Sequence, residues 1–443
     1  MDYKSNIRET IKLAAPISFG QFGHVMLGVI DSMMVGRVGP ASLAASSLVN
    51  GIFFLIVVIG IGLSMAATPL IAISKGAGKF SDCGKTLNHS VAVNFVFSIF
   101  ITITAFLCSY LIPYLNQPID VVKEAVPYLQ VLSLSVIPFM LFQSYRQFLE
   151  GLSIPYPPMI IALVANISHA FLNWLFIYGN FGLPALGLFG AGIATTFTRW
   201  MMALVLIVFI LNYKKVKIYK PQFNFHSFDF SLIKKLISVG LPSGFQYFLE
   251  VSSFAFGAVM MGWLGRTQLA AHQVAINLAS ITYMIILGIA SAGTIRVGEA
   301  VGNKKITQIR RAGFSAMALA ASLMFIFGIC FILFHNFLPT LYVNDKEVIS
   351  IASQLLIIAA LFQIFDGLQS SGIGVLRGLT DTKIPMILSL AAYWLVGIPV
   401  AGILGFYFKL GAIGIWTGLL LGLVSLGTIV LFRFNIKSKT IFD

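Results

Sequence analysis

Twelve stretches of mostly apolar residues, each long enough to cross a bilayer, follow one another along the chain with short polar breaks between them. They run approximately over residues 13–36, 44–70, 89–112, 126–147, 157–179, 187–212, 236–262, 270–297, 312–336, 350–375, 384–406 and 411–433. A helix needs about 20 apolar residues to span the hydrocarbon. Of 443 residues, 58% are hydrophobic and only 10% charged, against roughly 25% charged in soluble domains. That charge cannot coat the surface of two or three soluble domains. Runs such as Phe53-Phe54-Leu55-Ile56-Val57-Val58-Ile59 are continuous, whereas the strands of a membrane barrel alternate apolar and polar. The expected fold class is an all-α integral membrane protein with twelve transmembrane helices. The first stretch is longer than a signal-peptide core and lacks an A-x-A exit, so it reads as a first span. Cys83, Cys108 and Cys330 are too few for a disulfide scaffold.

The net charge of +14 is then a topology signal and points to no nucleic acid. Sorted by the twelve spans, 23 of the 29 basic residues fall on one side, among them Arg146, the run from Lys214 to Lys235, and Arg377. Five fall on the other, and Arg199 lies within a span. Basic residues favour the cytoplasmic side. Both termini and the segment 213–235 are therefore expected in the cytoplasm. A helical bundle of this kind belongs in an inner, plasma-type membrane, in contact with lipid.

The chain is also a duplication. At an offset of 226, Gly36-Arg37-Val38-Gly39 falls on Gly262-Trp263-Leu264-Gly265, Gly62 on Gly288, Thr68 on Thr294, and Pro16 on Pro242. At 227, Gly151-Leu152 falls on Gly378-Leu379. Six spans per copy is an even number, so both copies enter from the same side. The expected architecture is two six-helix bundles related by a pseudo-twofold axis along the membrane normal: an N-lobe of residues 1–212, a basic linker of 213–235 and a C-lobe of 236–443. In transporters built this way the substrate route lies between the halves.

Ionisable groups at bilayer depth are expensive and mark ion or substrate paths. Three acids sit there: Asp31 in span one, Glu250 in span seven and Asp366 in span ten. A carboxylate in low dielectric can carry a proton or share a cation with oxygen ligands. Asn173, Thr195 and Thr196 can add neutral oxygens around Asp31. His169 and Asn173 share a helix face, being four residues apart. Glu250 and Asp366 can meet between spans seven and ten, with Gln246, Gln273, Asn277 and Tyr283 near them. His24 aligns with Glu250 in the repeat, which points both positions at a substrate cavity. Arg296 and Glu299 read as an ordinary pair at a span end, and His272 as interfacial. No metalloprotease, P-loop or nucleophile-elbow motif occurs. An intramembrane enzyme therefore has no catalytic cluster to use, and a channel would not need such acids.

Gly36-Arg37-Val38-Gly39 with Leu43-Ala44-Ala45, the turn Lys75-Gly76-Ala77-Gly78-Lys79, Leu172-Asn173-Trp174-Leu175, Ala270-Ala271-His272-Gln273 and Gly374-Val375-Leu376-Arg377-Gly378-Leu379-Thr380 resemble the multidrug and toxic compound extrusion (MATE) transporters, in their bacterial NorM-like branch. The resemblance covers essentially the whole chain. It implies an antiporter, working as a monomer without a cofactor, that exports organic and often cationic small molecules in exchange for Na+ or H+. It implies an N-lobe coupling site at Asp31, Asn173 and Thr195, with His169 where relatives often carry Asn. It implies a C-lobe site at Glu250, Asp366 and Tyr283, with Phe362 where some relatives carry Tyr. Na+ would sit at Glu250 and Asp366, or at Asp31 and Asn173. His169 favours proton handling, while the retained C-lobe acids favour Na+. Within the same superfamily the rival is a flippase for lipid-linked sugars, which would line its cavity with Arg and Lys.

Overall fold

The computed structural model describes residues 3–220 and 229–442. Twelve of its helices are long and apolar enough to cross a membrane: α1 (Ser5–Val35), α2 (Pro40–Gly76), α3 (Phe80–Leu115), α4 (Ile119–Gly151), α5 (Tyr156–Tyr178), α6 (Gly187–Asn212), α7 (Phe230–Leu264), α8 (Arg266–Gly302), α9 (Ile306–Phe334), α10 (Lys346–Gly378), α11 (Lys383–Tyr407) and α12 (Gly411–Lys437). Each expected span corresponds to one of them, and no strand occurs among the described residues. Residues 221–228 of the expected linker lie outside the described residues.

Prolines shape the helices where the site will form. Pro69 lacks the N–H that would bond Met65 O, and α2 turns at Met65–Ala66. Pro138 does the same to Leu134 O, and α4 breaks at Ser135. Near Pro399, α11 opens into wide π-helical turns over Leu390–Gly397 and Ile403–Tyr407. Asp345 begins α10 by accepting from the backbone N–H groups of Glu347 and Val348 at 2.9 and 3.1 Å. Asp229 begins α7 in the same way through Ser231 and Leu232. The Ser231 side chain and these backbone donors hold the exposed Asp229 carboxyl below its usual range.

The chain divides into two compact units, Phe19–Gly244 in one and Met1–Ser18 with Phe245–Asp443 in the other. The two cuts, after Ser18 and after Gly244, are themselves 226 residues apart. They differ from limits drawn at 212 and 236, because each unit takes in the opening segment of the other repeat. Within the first unit, Gly62 of α2 faces Gly244 of α7, and a Cβ on Gly62 would lie 2.2 Å from Gly244 Cα. Within the second, Gly288 of α8 faces Ser18 of α1, whose hydroxyl donates to Ile285 O at 3.0 Å. These two contacts map onto each other by the repeat offset.

The repeat is also visible inside each unit. Thr68 Oγ1 bonds Gln147 O at 3.2 Å, and Thr294 Oγ1 bonds Gly374 O at 2.7 Å. Gly151 packs on Thr68 O and Gly378 on Thr294 O. The contact of Gly62 with the Gly244 backbone leaves no flexible side chain to yield. Gly62→Ala is therefore expected to destabilise the fold by about 1–3 kcal/mol, the usual cost of overpacking. A lowered thermal midpoint of the purified protein in detergent would register it. An unchanged midpoint would show that α2 and α7 can part freely.

Candidate functional site

In the first unit, α1, α5 and α6 bring four polar side chains to one point at bilayer depth. Asp31 Oδ1 lies 2.8 Å from His169 Nε2 and accepts from Asn173 Nδ2 at 2.7 Å. Its Oδ2 accepts from Thr195 Oγ1 at 3.3 Å. All four residues are buried. The i, i+4 spacing of His169 and Asn173 on α5 delivers both to the same carboxylate oxygen. Thr196 turns away, bonding Val131 O and Gly192 O instead. One turn beyond Thr195, Thr198 supplies a partner that span positions alone do not single out. Its hydroxyl donates to Ala194 O at 2.8 Å and lies 3.0 Å from His169 Nδ1.

Each ring nitrogen of His169 therefore has a buried polar partner, Thr198 Oγ1 on Nδ1 and Asp31 Oδ1 on Nε2, and Asn173 Nδ2 lies 3.3 Å from Nε2. Ring and carboxylate are in place to pass a proton between them. Asn173 Oδ1 is buried and has no partner among the described residues.

The second unit gathers its polar groups around Glu250. Gln246 Nε2 and Gln369 Nε2 donate to Oε2 at 2.8 and 3.2 Å, and Tyr283 Oη to Oε1 at 3.2 Å. Gln369 is oriented in turn by Tyr393 Oη at 2.8 Å. Asp366, expected beside Glu250, makes no hydrogen bond to it. It lies half-buried within electrostatic reach of Glu250, one turn before Ser370. Gln369, three residues further along α10, takes the place expected for Asp366. Phe362 packs on Phe254 and Trp416.

Other expectations part from the structure. Gln273 and Asn277 are exposed and face each other at 3.5 Å, without joining the Glu250 cluster. His24 packs its ring edge on Phe142 and Phe139, at 5.4 and 6.3 Å between centres. His272 is buried rather than interfacial, accepting from Trp416 Nε1 at 3.1 Å. Arg296 donates to Asn6 and Thr10. Arg146 and Arg377, counted above as surface charges, are 3% and 5% exposed. Arg146 pairs with the buried Glu150 at 2.6 Å, a fourth acid away from solvent. The i, i+4 spacing of Arg146 and Glu150 is the signal in the sequence for that pair. Arg377 stands 5.7 Å from the Tyr247 ring centre.

A duplicated twelve-helix bundle with a buried, hydrogen-bonded carboxylate in each compact unit has the form of a secondary membrane transporter. The MatE family model matches the chain twice, over residues 16–175 and 242–403, windows that begin 226 residues apart. The chain is 34% identical to the probable multidrug resistance protein NorM of Mesorhizobium japonicum, covering 98% of this chain and 94% of that one. It is 32% identical to the multidrug resistance protein NorM of Vibrio vulnificus, over 98% and 96% of the two chains. It is 31% identical to the multidrug resistance protein MdtK of Yersinia pseudotuberculosis, over 99% and 97%. Its fold matches that of the eukaryotic MATE transporter AtDTX14 with a TM-score of 0.89 at 22% identity, over 99% and 98% of the two chains. It matches an outward-facing MATE transporter of the MOP superfamily with a TM-score of 0.90 at 20% identity, over 98% and 96%. The chain belongs to the MATE family of multidrug-efflux transporters. It is a multi-pass membrane transporter and not an enzyme.

Proposed function

We propose that the chain is a proton-coupled antiporter that exports organic, chiefly cationic, small molecules by alternating access. The observation that carries this reading is the buried Asp31–His169 contact, with Thr198 on the other ring nitrogen. Such a pair takes up and gives up one proton without leaving an unpaired buried charge. A sodium-driven exchange would need His169 to lose that proton and the oxygens of Asp31, Asn173 and Thr195 to close around the ion, since hard cations favour oxygen ligands. The relatives' multidrug resistance names and the few, dispersed acids support an amphipathic cationic substrate. A lipid-linked-sugar flippase is disfavoured, because it would line its cavity with Arg and Lys, and Arg199 is the basic residue that the sequence places near mid-span. We place the protein in the inner membrane with both termini cytoplasmic on the strength of the basic-residue asymmetry, and take it to work as a monomer on the strength of its family resemblance.

Ion and substrate are coupled only if each binds the two conformations unequally. Dye efflux from vesicles under separately imposed gradients tests this. A proton gradient should drive ethidium out, and a sodium gradient alone should not. Efflux driven by sodium alone would transfer the coupling to Na+, and indifference to both gradients would refute antiport. Thr198→Val removes the hydrogen bond on His169 Nδ1. Losing one neutral hydrogen bond costs about 1 kcal/mol, so proton-driven efflux is expected to fall roughly fivefold.

A further inference from the structure

Between Tyr213 and Ser238 the sequence holds six lysines and a single acid, Asp229. Lys214, Lys215, Lys217 and Lys220 follow directly on the end of α6, and Lys234 and Lys235 lie in the opening turns of α7. All six are exposed. The first unit adds two more exposed lysines, Lys79 and Lys85, at the start of α3. Lys85 stands 3.8 Å from Asp82. The others have no acid within ion-pair distance among the described residues. Their ammonium groups face outward with no counter-charge beside them.

Contacts with α3 hold this charge in place. Lys214–Lys217 form one helical turn, and its Val216 is buried. Tyr219 meets the Phe80 ring edge-on, with 5.5 Å between centres. Gly84 of α3 lies against the carbonyls of Tyr219 and Lys220, too close for a Cβ to fit. Further along α3, His89 Nε2 accepts from the backbone N–H of Asp229 at 2.9 Å. Tyr219–Lys220 and Asp229 therefore both rest on α3. On α7, Leu236 and Val239 bury against Ala66 and Leu70 of α2, while Lys234 and Lys235 stay outside.

Two large apolar side chains share the surface. Ile218, between Lys217 and Lys220, is 58% exposed, and Phe230 is 82% exposed. A soluble acidic partner would leave both in water. Lysine stems lie along apolar surface while their heads reach the polar boundary. Basic residues mixed with bulky apolar ones suit the level where headgroups meet acyl chains. The lysine run begins at that level, two residues after a helix long enough to cross the hydrocarbon.

We infer that this face of the first unit is a docking surface for anionic phospholipid. The lysines receive headgroup phosphates, and Ile218 and Phe230 reach the acyl region. Each lysine beside an acidic bilayer surface strengthens the attraction roughly fivefold. Lipid docking needs neither gradient nor substrate, so it stands or falls apart from the transport reading.

Native mass spectrometry of the full-length protein released from detergent counts the lipids it retains. Offered equal amounts of dioleoyl phosphatidylglycerol and dioleoyl phosphatidylcholine, the wild type should retain the anionic lipid in preference. Lys214→Gln, Lys215→Gln and Lys217→Gln combined should cut that retention at least about tenfold and leave phosphatidylcholine unchanged. Lys123→Gln, Lys346→Gln and Lys409→Gln combined remove the same charge from the other side of the spans and should leave retention unchanged. The six substituted lysines are all exposed, so both variants should keep the wild-type thermal midpoint. Equal losses in the two variants would reduce the effect to net charge and overturn the surface. No lipid preference in the wild type would overturn it as well. Displacement by glycerol 3-phosphate, which has the charge without acyl chains, would assign the lysines to soluble phosphate instead.

Discussion

Asp31→Asn should reduce gradient-driven dye efflux to the level of protein-free vesicles. The carboxylate accepts from Asn173 and Thr195 and lies 2.8 Å from His169 Nε2. An amide in its place keeps one acceptor and turns a second N–H donor toward groups that are themselves donors. It also removes the negative charge that stands beside His169 Nε2. Removing one partner of a buried pair costs about 3–5 kcal/mol, which corresponds to roughly a hundredfold or more. The thermal midpoint of the purified variant separates loss of coupling from loss of fold. His169→Gln sharpens the assignment, because it preserves a hydrogen bond to Asp31 but has no titratable ring. That variant should still bind dye and lose its response to a proton gradient. Wild-type efflux by Asp31→Asn would make the cluster structural.

Glu250→Gln is expected to be the second most damaging change. Gln246, Gln369 and Tyr283 all present donors to its two oxygens. The new amide turns one oxygen into a donor and leaves at least one of those buried groups unsatisfied. An unsatisfied buried donor costs about 1–3 kcal/mol, so transport should fall by about 5- to 150-fold. Tyr283→Phe removes only the 3.2 Å contact, and several-fold is the expected loss. The same vesicle efflux measurement ranks the two. If Asp31→Asn abolishes transport and Glu250→Gln leaves it intact, coupling belongs to the first unit alone. Unchanged transport in both would remove both acids from the mechanism.

Much of the first cluster is legible in the sequence. Asp31 stands out by depth, and His169 with Asn173 by helical spacing. Thr195 is legible as a hydroxyl near mid-span on a neighbouring helix. Thr198 is not, because only the aim of the His169 ring shows that the second threonine matters. In the other unit depth alone does not find every partner. Asp366 is the acid that hydropathy finds, yet Gln369, a neutral residue with no alarming cost in a span, touches Glu250. The spacing of Arg146 and Glu150 permits their pairing, but their burial is not legible in the sequence. Near the end of a span, composition does not say whether a charge reaches water or folds back onto its neighbour.

Helix type, span count and duplication follow from the sequence alone, because each is a property of residues close together in the chain or of two windows compared directly. Hydropathy over about 20 residues decides whether a segment crosses the bilayer, and the 226-residue offset survives in matched Gly, Pro and Thr positions. Which polar atoms meet depends on the rotation and tilt of helices far apart in sequence. The tertiary structure alone decided that Thr198 meets the His169 ring, and that Gln369 donates to Glu250. It also decided that the compact units divide at Ser18 and Gly244. There, small residues let the opening segment of each repeat pack against the other, a closeness that composition permits but does not require.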